Sequence, residues 1–250
     1  MIRQLSLLLM ALGTTATAQW LNYPGPGIPR LPDGKPNLAA PPPHTAEGKP
    51  DLSGIWAAAE RHHQLAMEVP GGAPFTEWSQ AIREARLKNE GRDIPTSRCL
   101  PSGIPPDMLR PPAPFRIIQT AGMTVILLEE FNNWRQIFTD GRPLPIDPEP
   151  AWFGYSKGRW EGETFVVETA GFNDKTWLDG AGTPHSEELR LTERFKRPDF
   201  GHMEVEYTFN DPKAFTRPWS VAVKFNLQAD TELLDSHCEN EQDLKHLVNK

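Results

Sequence analysis

The ionisable side chains that could perform chemistry concentrate in two polar loops. The first, residues 135–142, reads RQIFTDGR, and the second runs through 171–188 and carries His185 among several carboxylates. Imidazole titrates near neutral pH, so His185 is the strongest candidate for a general acid or base, with Asp140 of the first loop as an assisting carboxylate. Histidines in loops are more often surface or capping residues, and that alternative stays open.

Two further aspartates belong to the second loop. Asp174 could orient His185, although no spacing in the sequence fixes such a contact. Asp179, like Asp140, precedes a glycine, and Asp-Gly pairs are above all turn formers. A chemical role for either aspartate therefore competes with a simple turn.

Glu193 is more informative because of its position in a predicted strand. It lies in phase with apolar residues and should face the core. A buried carboxylate needs either a partner or a raised pKa, so Glu193 is either an acid or base facing an interior or half of a structural ion pair. Arg135 and Arg159 are the candidate partners. The apolar residues in phase are Leu189, Leu191 and Phe195.

Two arginines and two tryptophans could bind a ligand near these loops. Arg135 and Arg142 flank the first loop, where a guanidinium can clamp a carboxylate of a ligand or brace acidic side chains of the protein itself. Trp152 and Trp177 lie in predicted loops and could line a cavity. An aromatic surface with a few polar groups is the usual composition of a small-molecule pocket.

Several enzyme classes leave motifs that this sequence does not contain. It has no GxSxG, no HExxH, no phosphate-binding Walker loop and no dinucleotide fingerprint. The seven histidines show no metal-ligand spacing, and the adjacent His62 and His63 point to different sides of any regular element. We therefore expect neither a metal nor a cofactor.

The N-terminal residues indicate export. Arg3 precedes an apolar stretch and a run of small residues ending at Ala18, which is the pattern of a signal peptide over residues 1–18 with cleavage after Ala18. No later segment has the length and apolar character of a membrane span, so we expect a periplasmic or secreted protein. The net charge of −7 argues against nucleic acid as a partner.

The chain contains two cysteines, Cys99 and Cys238. In an oxidising compartment such a pair is expected to form a disulfide. Neither cysteine lies in a CxxC or Cys/His pattern, so redox and zinc chemistry are not indicated.

Prolines divide the chain into two unlike parts. Of the 26 prolines, 18 fall between Pro24 and Pro114, and because proline lacks a backbone donor this part cannot form a sheet interior. We predict a proline-rich extended arm over 19–75, a helix and proline-rich connection over 76–114, and a β-barrel-like body over 115–250.

Individual elements can be placed within these parts. Residues 51–56 could dock onto the body as a short strand. Thr76 is the predicted N-cap of a helix that Gly91 ends, and a second short helix is predicted at 241–248. The first helix should bury a stripe made of Trp78, Ile82, Ala85 and Leu87.

From Phe115 onward, apolar residues recur with the period of two that is typical of strands. Asn132 and Asn133 predict a hairpin turn, and the polar faces of later strands carry opposite charges. We find no βαβ pattern and no repeat. The fold class predicted is mainly β: an antiparallel meander with short connections, forming a barrel or strongly curved sheet.

Three segments carry a resemblance to a known family. These are residues 135–142, 154–162 (GYSKGRWEG) and 184–187 (PHSE). With them the chain resembles, over roughly residues 51–245, a family of uncharacterised exported bacterial β-rich proteins. The resemblance implies export and one β-rich fold but no particular reaction. The meander is also similar in pattern to lipocalin-like barrels, which is an analogy of architecture alone.

Three functional hypotheses follow. The leading one is a cofactor-free acid–base enzyme, such as a lyase, hydratase, isomerase or hydrolase, acting on a small, partly apolar molecule. In it His185 exchanges the proton, Asp140 or Glu193 assists, and Arg135 or Arg142 holds an anionic group. The alternative is a non-catalytic lipocalin-like protein that binds a small molecule in its interior. A third, an interaction protein of the cell envelope, rests on the proline-rich arm.

Overall fold

The computed structural model of the protein describes residues 23–109 and 113–238. The proposed signal peptide at 1–18 and the predicted helix at 241–248 therefore lie outside the described residues. Within the described part, no helix combines the length and the apolar character needed to cross a membrane.

The described residues form a closed barrel of nine strands. Strands that follow one another in the chain are neighbours in the barrel, and the last pairs with the first. The predicted mainly β class and lipocalin-like barrel are confirmed. The strands are β1 (Gly54–Ala58), β2 (Phe115–Gln119), β3 (Met123–Leu128), β4 (Asn133–Phe138), β5 (Tyr155–Glu161), β6 (Thr164–Ala170), β7 (Arg190–Lys196), β8 (His202–Asn210) and β9 (Trp219–Leu227).

Alternating side chains separate the interior of the barrel from solvent. In β8, Tyr207 and Phe209 are fully buried, whereas Glu204 and Glu206 lie on the outer face opposite Lys224 and Arg194. Aromatic rings fill the interior, as in the stacking of Phe209 on Trp219 at 4.3 Å and the edge contact of Phe115 with Phe225 at 5.3 Å. The core therefore lies inside the barrel.

One pair of neighbouring strands departs from the predicted antiparallel meander. β4 and β5 run parallel, with Ile137 opposite Ser156 and Phe138 opposite Lys157. Parallel neighbours need a connection that returns along the barrel, and the segment 139–154 provides it. The expected short connections are therefore not found here, and the sequence did not predict this crossover.

The proline-rich arm contains a tandem repeat, which corrects the expectation of no repeat. Residues 29–38 (PRLPDGKPNL) and 43–52 (PHTAEGKPDL) form two loops with the same hydrogen bonds. In the first, the amide of Asn37 donates to Pro29 at 2.7 Å, and in the second that of Asp51 donates to Pro43 at 2.9 Å. The segment between them pairs with the β7–β8 turn, so the arm wraps one end of the barrel.

The strand β1 follows directly on the second of these loops. It pairs with β2 on one side and with β9 on the other. The predicted arm over 19–75 thus supplies a strand to the barrel, in the segment that we expected to dock as a short strand.

Two helices lie in the connection between β1 and β2, α1 (Glu77–Lys88) and α2 (Pro106–Leu109). Thr76 caps α1 as predicted, with its hydroxyl accepting a hydrogen bond from the amide of Ser79 at 3.3 Å. The predicted apolar stripe is wrong, because Trp78 and Leu87 are exposed. The helix instead packs through Ser79, which donates to the carbonyl of Ala214, and through Arg83, which is buried over Phe75. Three short 3-10 helices are Leu65–Met67, Pro95–Arg98 and Glu130–Asn132.

Three connections meet at the end of the barrel where β1, β6 and β8 finish, which we call the upper end. They are the segments 59–114, 171–189 and 211–218. The amide of Ala66 donates to Asp179 at 3.1 Å, and the amide of Ser186 donates to Asp211 at 2.6 Å. These bonds fix the three connections to one another.

The two cysteines form the expected disulfide. The Cα atoms of Cys99 and Cys238 lie 5.4 Å apart, within the usual range for a bridge. The bond ties the segment that follows β9 to the connection between β1 and β2 at the upper end.

Candidate functional site: a cavity at the upper end

His185 is buried within the 171–189 connection, with 2 % of its surface exposed. Its Nε2 lies 2.7 Å from the hydroxyl of Thr176, and its Nδ1 lies 3.1 Å from the carbonyl oxygen of Ser186. A neutral imidazole satisfies both contacts, with Nδ1–H donating and Nε2 accepting. Burial lowers the pKa of His185, which favours that neutral form. Both ring nitrogens are therefore engaged within the protein.

Asp140 forms an exposed ion pair with Arg142. The Nε of Arg142 lies 2.9 Å from Oδ1 of Asp140, and its Nη2 lies 2.5 Å from Oδ2. Hydrogen bonds from Arg142 lower the pKa of the Asp140 carboxyl. The guanidinium also covers the ring of Phe138 at 3.8 Å. The two side chains thus brace the turn that follows β4.

Glu193 forms an ion pair with Arg135 inside the barrel, where the two side chains are 0 % and 2 % exposed. Two parallel hydrogen bonds join them, of 3.0 Å from Nη1 and 2.5 Å from Nη2. Ser156 accepts from Nε at 3.1 Å, and Thr169 accepts from Nη2 at 2.7 Å. Arg159, the other candidate partner, pairs with glutamates on the outer face. Of the two roles considered for Glu193, the geometry is that of the structural pair.

Tyr207 lies next to this pair, opposite Glu193 in the register of β7 and β8. Its hydroxyl is buried without a hydrogen-bond partner among the described residues. Burial, followed by the charge of Glu193, raises the pKa of Tyr207 well above its usual value. The phenol thus stays neutral beside the ion pair.

The three residues predicted to be catalytic are not brought together. The hydrogen bonds of His185, Asp140 and Glu193 involve three separate sets of partners. Asp174 is exposed and bonds to neither nitrogen of His185. Trp152 is half-buried near the end of the 139–154 connection. Trp177, by contrast, lies at the wall of a cavity.

Trp177 lines a cavity of about 280 Å³ at the upper end of the barrel. Its walls come from three short stretches that are distant in sequence, residues 61–63, 94–109 and 177–180. Apolar side chains, among them Ile94 and Leu109, alternate around it with polar ones such as Arg61 and Ser102. This mixture is typical of sites that bind small molecules.

The indole of Trp177 is held in place from outside the cavity. Arg86 of α1, which does not line the cavity, places its guanidinium 4.7 Å from the centre of the indole ring. The same guanidinium donates to the carbonyl of Gly182 at 3.1 Å. Burial lowers the pKa of Arg86 to about 10, so it remains charged at neutral pH. These contacts of Arg86 hold the indole in its position at the wall.

Asp179 lines the cavity, but its carboxylate is already saturated. One oxygen accepts from the amides of Ala181 and Thr183, and the other accepts from the amide of Ala66 and the hydroxyl of Thr183, at 2.9–3.1 Å. Asp179 thus forms the turn that is expected of an Asp-Gly pair, and its carboxylate has a structural role. Its function is to join two cavity walls.

Ser102 lines the cavity, and the buried Asp107, which does not line it, bonds to the backbone at this point of the wall. The amides of Ser102 and Gly103 donate to the two carboxylate oxygens of Asp107 at 3.1 and 3.2 Å. Burial, then repulsion from the nearby Glu130, raises the pKa of Asp107 to about 8. Asp107 therefore carries its proton at neutral pH.

This protonated carboxyl predicts a pH dependence of stability. The pKa of Asp107 is higher in the folded than in the unfolded chain, so stability is lost as the pH rises towards about 8. The lowered pKa of His185 has the opposite effect, because it makes stability rise with pH. This effect is confined to pH values below 6.5, the usual pKa of histidine. We expect the free energy of unfolding, measured by urea titration, to fall by about 2 kcal/mol between pH 6.5 and 8.

The variant Glu130→Gln is the control for this prediction. Removing the repelling carboxylate of Glu130 lowers the pKa of Asp107. The fall in the free energy of unfolding then ends at a lower pH, so that less stability is lost between pH 6.5 and 8. A parent protein with constant stability across that window would contradict the assignment to Asp107.

Sequence reasoning missed most of the cavity. It considered the two adjacent histidines only as metal ligands and rejected them, and it did not consider Arg61, Ser102 or Asp107. The available signal was weak: a cluster of basic and imidazole side chains at 61–63 directly after a strand. Among the described residues, no group of three His, Cys, Asp or Glu side chains is placed to hold a metal ion.

The chain was compared with models of protein families, with curated proteins and with solved structures. No family model, no curated protein and no solved structure matches it. The geometry of the barrel and its cavity is therefore the basis for a functional conclusion.

Proposed function

We propose that the protein binds a small, partly apolar molecule in the cavity at its upper end. The observation that carries this proposal is the combination in one cavity of a fixed indole, several aliphatic side chains and polar groups from three connections. Such a site buries an apolar ligand and orients it by a few polar contacts. The ligand sits above the barrel, because aromatic side chains occupy the interior that a lipocalin-like carrier would use.

The position of the protein outside the cytoplasm is part of this proposal. The N-terminal signal pattern supports export to the periplasm or beyond, and the Cys99–Cys238 bridge is compatible with an oxidising compartment. The acidic net charge favours a small molecule over nucleic acid as partner.

An acid–base enzyme is the second candidate, with a different set of residues from those predicted. His185 and Glu193 are engaged in buried contacts of their own. Burial raises the pKa of Asp107 to about 8, but a general acid must reach the reacting group, and Asp107 is buried and does not line the cavity. Conversion of a bound compound, followed by mass spectrometry, would favour this candidate.

The binding proposal is tested by filling the cavity. A set of neutral and acidic single-ring compounds is first screened by thermal shift, and the best is titrated by calorimetry. We expect Leu109→Trp to weaken binding at least tenfold, because the larger side chain occupies the space of the ligand. Leu100→Trp is the matched control, since Leu100 is exposed and does not line the cavity. Equal affinity of Leu109→Trp and the parent would place the ligand elsewhere.

A further inference from the structure

We propose that His62 is a general base at the cavity, that Glu68 positions it, and that this pair hydrolyses small aryl esters. The inference rests on the proposed binding function, since the same cavity holds the substrate. The observation that carries it is a histidine at the cavity wall whose ring bonds to a carboxylate outside that wall.

The imidazole of His62 lines the cavity, and one of its two nitrogens is engaged. Nδ1 lies 2.6 Å from Oε2 of Glu68, which is not part of the cavity wall. In the neutral ring Nδ1–H donates to this carboxylate, and Nε2 keeps a lone pair with no hydrogen-bond partner among the described residues. This is the arrangement of a hydrolytic base, because the carboxylate fixes the tautomer and stabilises the imidazolium that forms.

The segment between the two side chains is anchored to its surroundings. It contains the 3-10 helix Leu65–Met67, of which Leu65 and Ala66 are fully buried. The amide of Glu68 donates to the carbonyl of Leu65 at 3.1 Å, and the amide of Ala66 donates to Asp179, also at 3.1 Å. A buried turn therefore sets the position of the carboxylate relative to the imidazole.

Two other histidines of the described chain also hydrogen-bond to a carboxylate, but neither lines the cavity. His202 lies 2.7 Å from Asp199, and His237 lies 3.1 Å from Asp235. Their side chains are 49 % and 68 % exposed, whereas that of His62 is 11 % exposed. Burial beside a cavity thus distinguishes His62 from ordinary surface pairs, and His202 provides a matched control.

The cavity is open to water, which is the second reactant. Arg61 and His63 line it and are exposed, so they mark its mouth towards solvent. Reactions that remove a proton from carbon profit from the exclusion of water. Hydrolysis consumes water and is therefore the reaction of a base that suits an open cavity.

The reaction needs no group beyond the ester, one water molecule and His62. Nε2 takes a proton from water while the water oxygen forms a bond to the acyl carbon. The bond between the acyl carbon and the aryl oxygen then breaks, and the leaving phenoxide takes the proton from Nε2. A carboxylic acid and a phenol are released, and the imidazole is neutral again.

The cavity wall and the chemistry of the base define the ester. The indole of Trp177 offers a surface against which a ring can pack, and a volume of about 280 Å³ suits one ring with a short acyl group. Phenols are much stronger acids than aliphatic alcohols, with a pKa of about 10. A phenoxide is therefore released with the help of a single imidazole.

Hydrolysis of phenyl acetate, followed by the release of phenol, tests the inference. We expect His62→Gln to lower kcat about 100-fold. Acetanilide has nearly the same shape but an amide in place of the ester, and its affinity, measured by calorimetry, should not change in this variant. Hydrolysis by the parent should be slower in heavy water, because a general base moves a proton in the rate-limiting step.

Glu68→Gln examines the positioning role. Glutamine still accepts a hydrogen bond from Nδ1 but lacks the charge that stabilises the imidazolium, so kcat should fall about tenfold while KM stays unchanged. An unchanged kcat would remove Glu68 from the mechanism. His202→Gln, which breaks the pair with Asp199 away from the cavity, should hydrolyse phenyl acetate as the parent does.

The remaining outcomes separate this inference from the binding function. If the parent binds acetanilide or another single-ring compound but hydrolyses phenyl acetate no faster than His62→Gln, the inference is wrong and the binding function stands. Equal rates in light and heavy water would assign His62 the role of a nucleophile and contradict general-base catalysis. If no compound binds, both proposals fall.

Discussion

Replacement of Glu193 by glutamine is expected to lower the free energy of unfolding by about 3–5 kcal/mol. The substitution keeps the shape of the side chain but leaves the guanidinium of Arg135 without a counter-charge at a site that is 2 % exposed. The uncompensated buried charge is the source of the cost. Urea unfolding followed by circular dichroism measures it.

The control is an ion pair of the same type on the surface. Glu161→Gln breaks an exposed contact with Arg159, which solvent already screens, so we expect little change in stability. The double variant Arg135→Met with Glu193→Leu should recover much of the loss, because Ser156 and Thr169 still bond to each other at 2.9 Å. If Glu193→Gln and Glu161→Gln lowered the free energy of unfolding by similar amounts, the loss would not come from the burial of the ion pair between Arg135 and Glu193.

Removal of the disulfide has the second largest expected effect. The bond joins residues 139 positions apart, and so long a loop strongly restricts the unfolded chain. We expect the double variant Cys99→Ser with Cys238→Ser to lose about 3–5 kcal/mol of unfolding free energy. Without the bridge, the segment after β9 is still tied to the barrel by hydrogen bonds, such as those of Asn132 to Asp235 at 2.8 Å and of the Leu234 amide to Glu129 at 2.8 Å.

Titration of thiols in denaturant checks the bond itself. The protein purified without reductant should contain no free thiol before reduction and two afterwards. Two reactive thiols in the untreated protein would contradict the bridge and remove the support that it gives to the proposed oxidising compartment.

The local patterns of the sequence predicted much of the barrel. The period of two from Phe115 onward identified the strands, and the phase of Glu193 identified it as a buried carboxylate. Both rest on the strict alternation of side chains across a strand, which local sequence records. The cap at Thr76 is local in the same sense.

Features that depend on distant contacts were not predictable in this way. The parallel pairing of β4 with β5 depends on the course of the whole segment 139–154, which carries no periodic signal. His185 also depends on distant contacts. The polar residues around it in the sequence predicted a loop, whereas contacts with Thr176 and Phe172 make it part of a buried cluster. A small polar residue in a loop gives no sign of which surface will cover it.

The cavity is the feature that local sequence patterns predicted least. Its walls come from three stretches that meet only after the barrel has formed. Trp177 is the one wall residue that the sequence predicted as a ligand contact, because a large aromatic ring in a loop is unusual without a partner. The meeting of Arg61 and Ser102 at one cavity is a property of the folded protein alone.

The seam between β1 and β9 has a consequence for biosynthesis. Trp56 pairs with Leu227 and Ala58 with Phe225, so the ring of strands closes only when nearly the whole described chain is available. A nascent chain that stops before β9 carries two open strand edges, on β1 and on β8, and such edges readily pair with other molecules. Contacts this distant in sequence also form slowly. Shortened translation products should therefore aggregate, and the full-length chain needs protection from its neighbours until its final strand arrives.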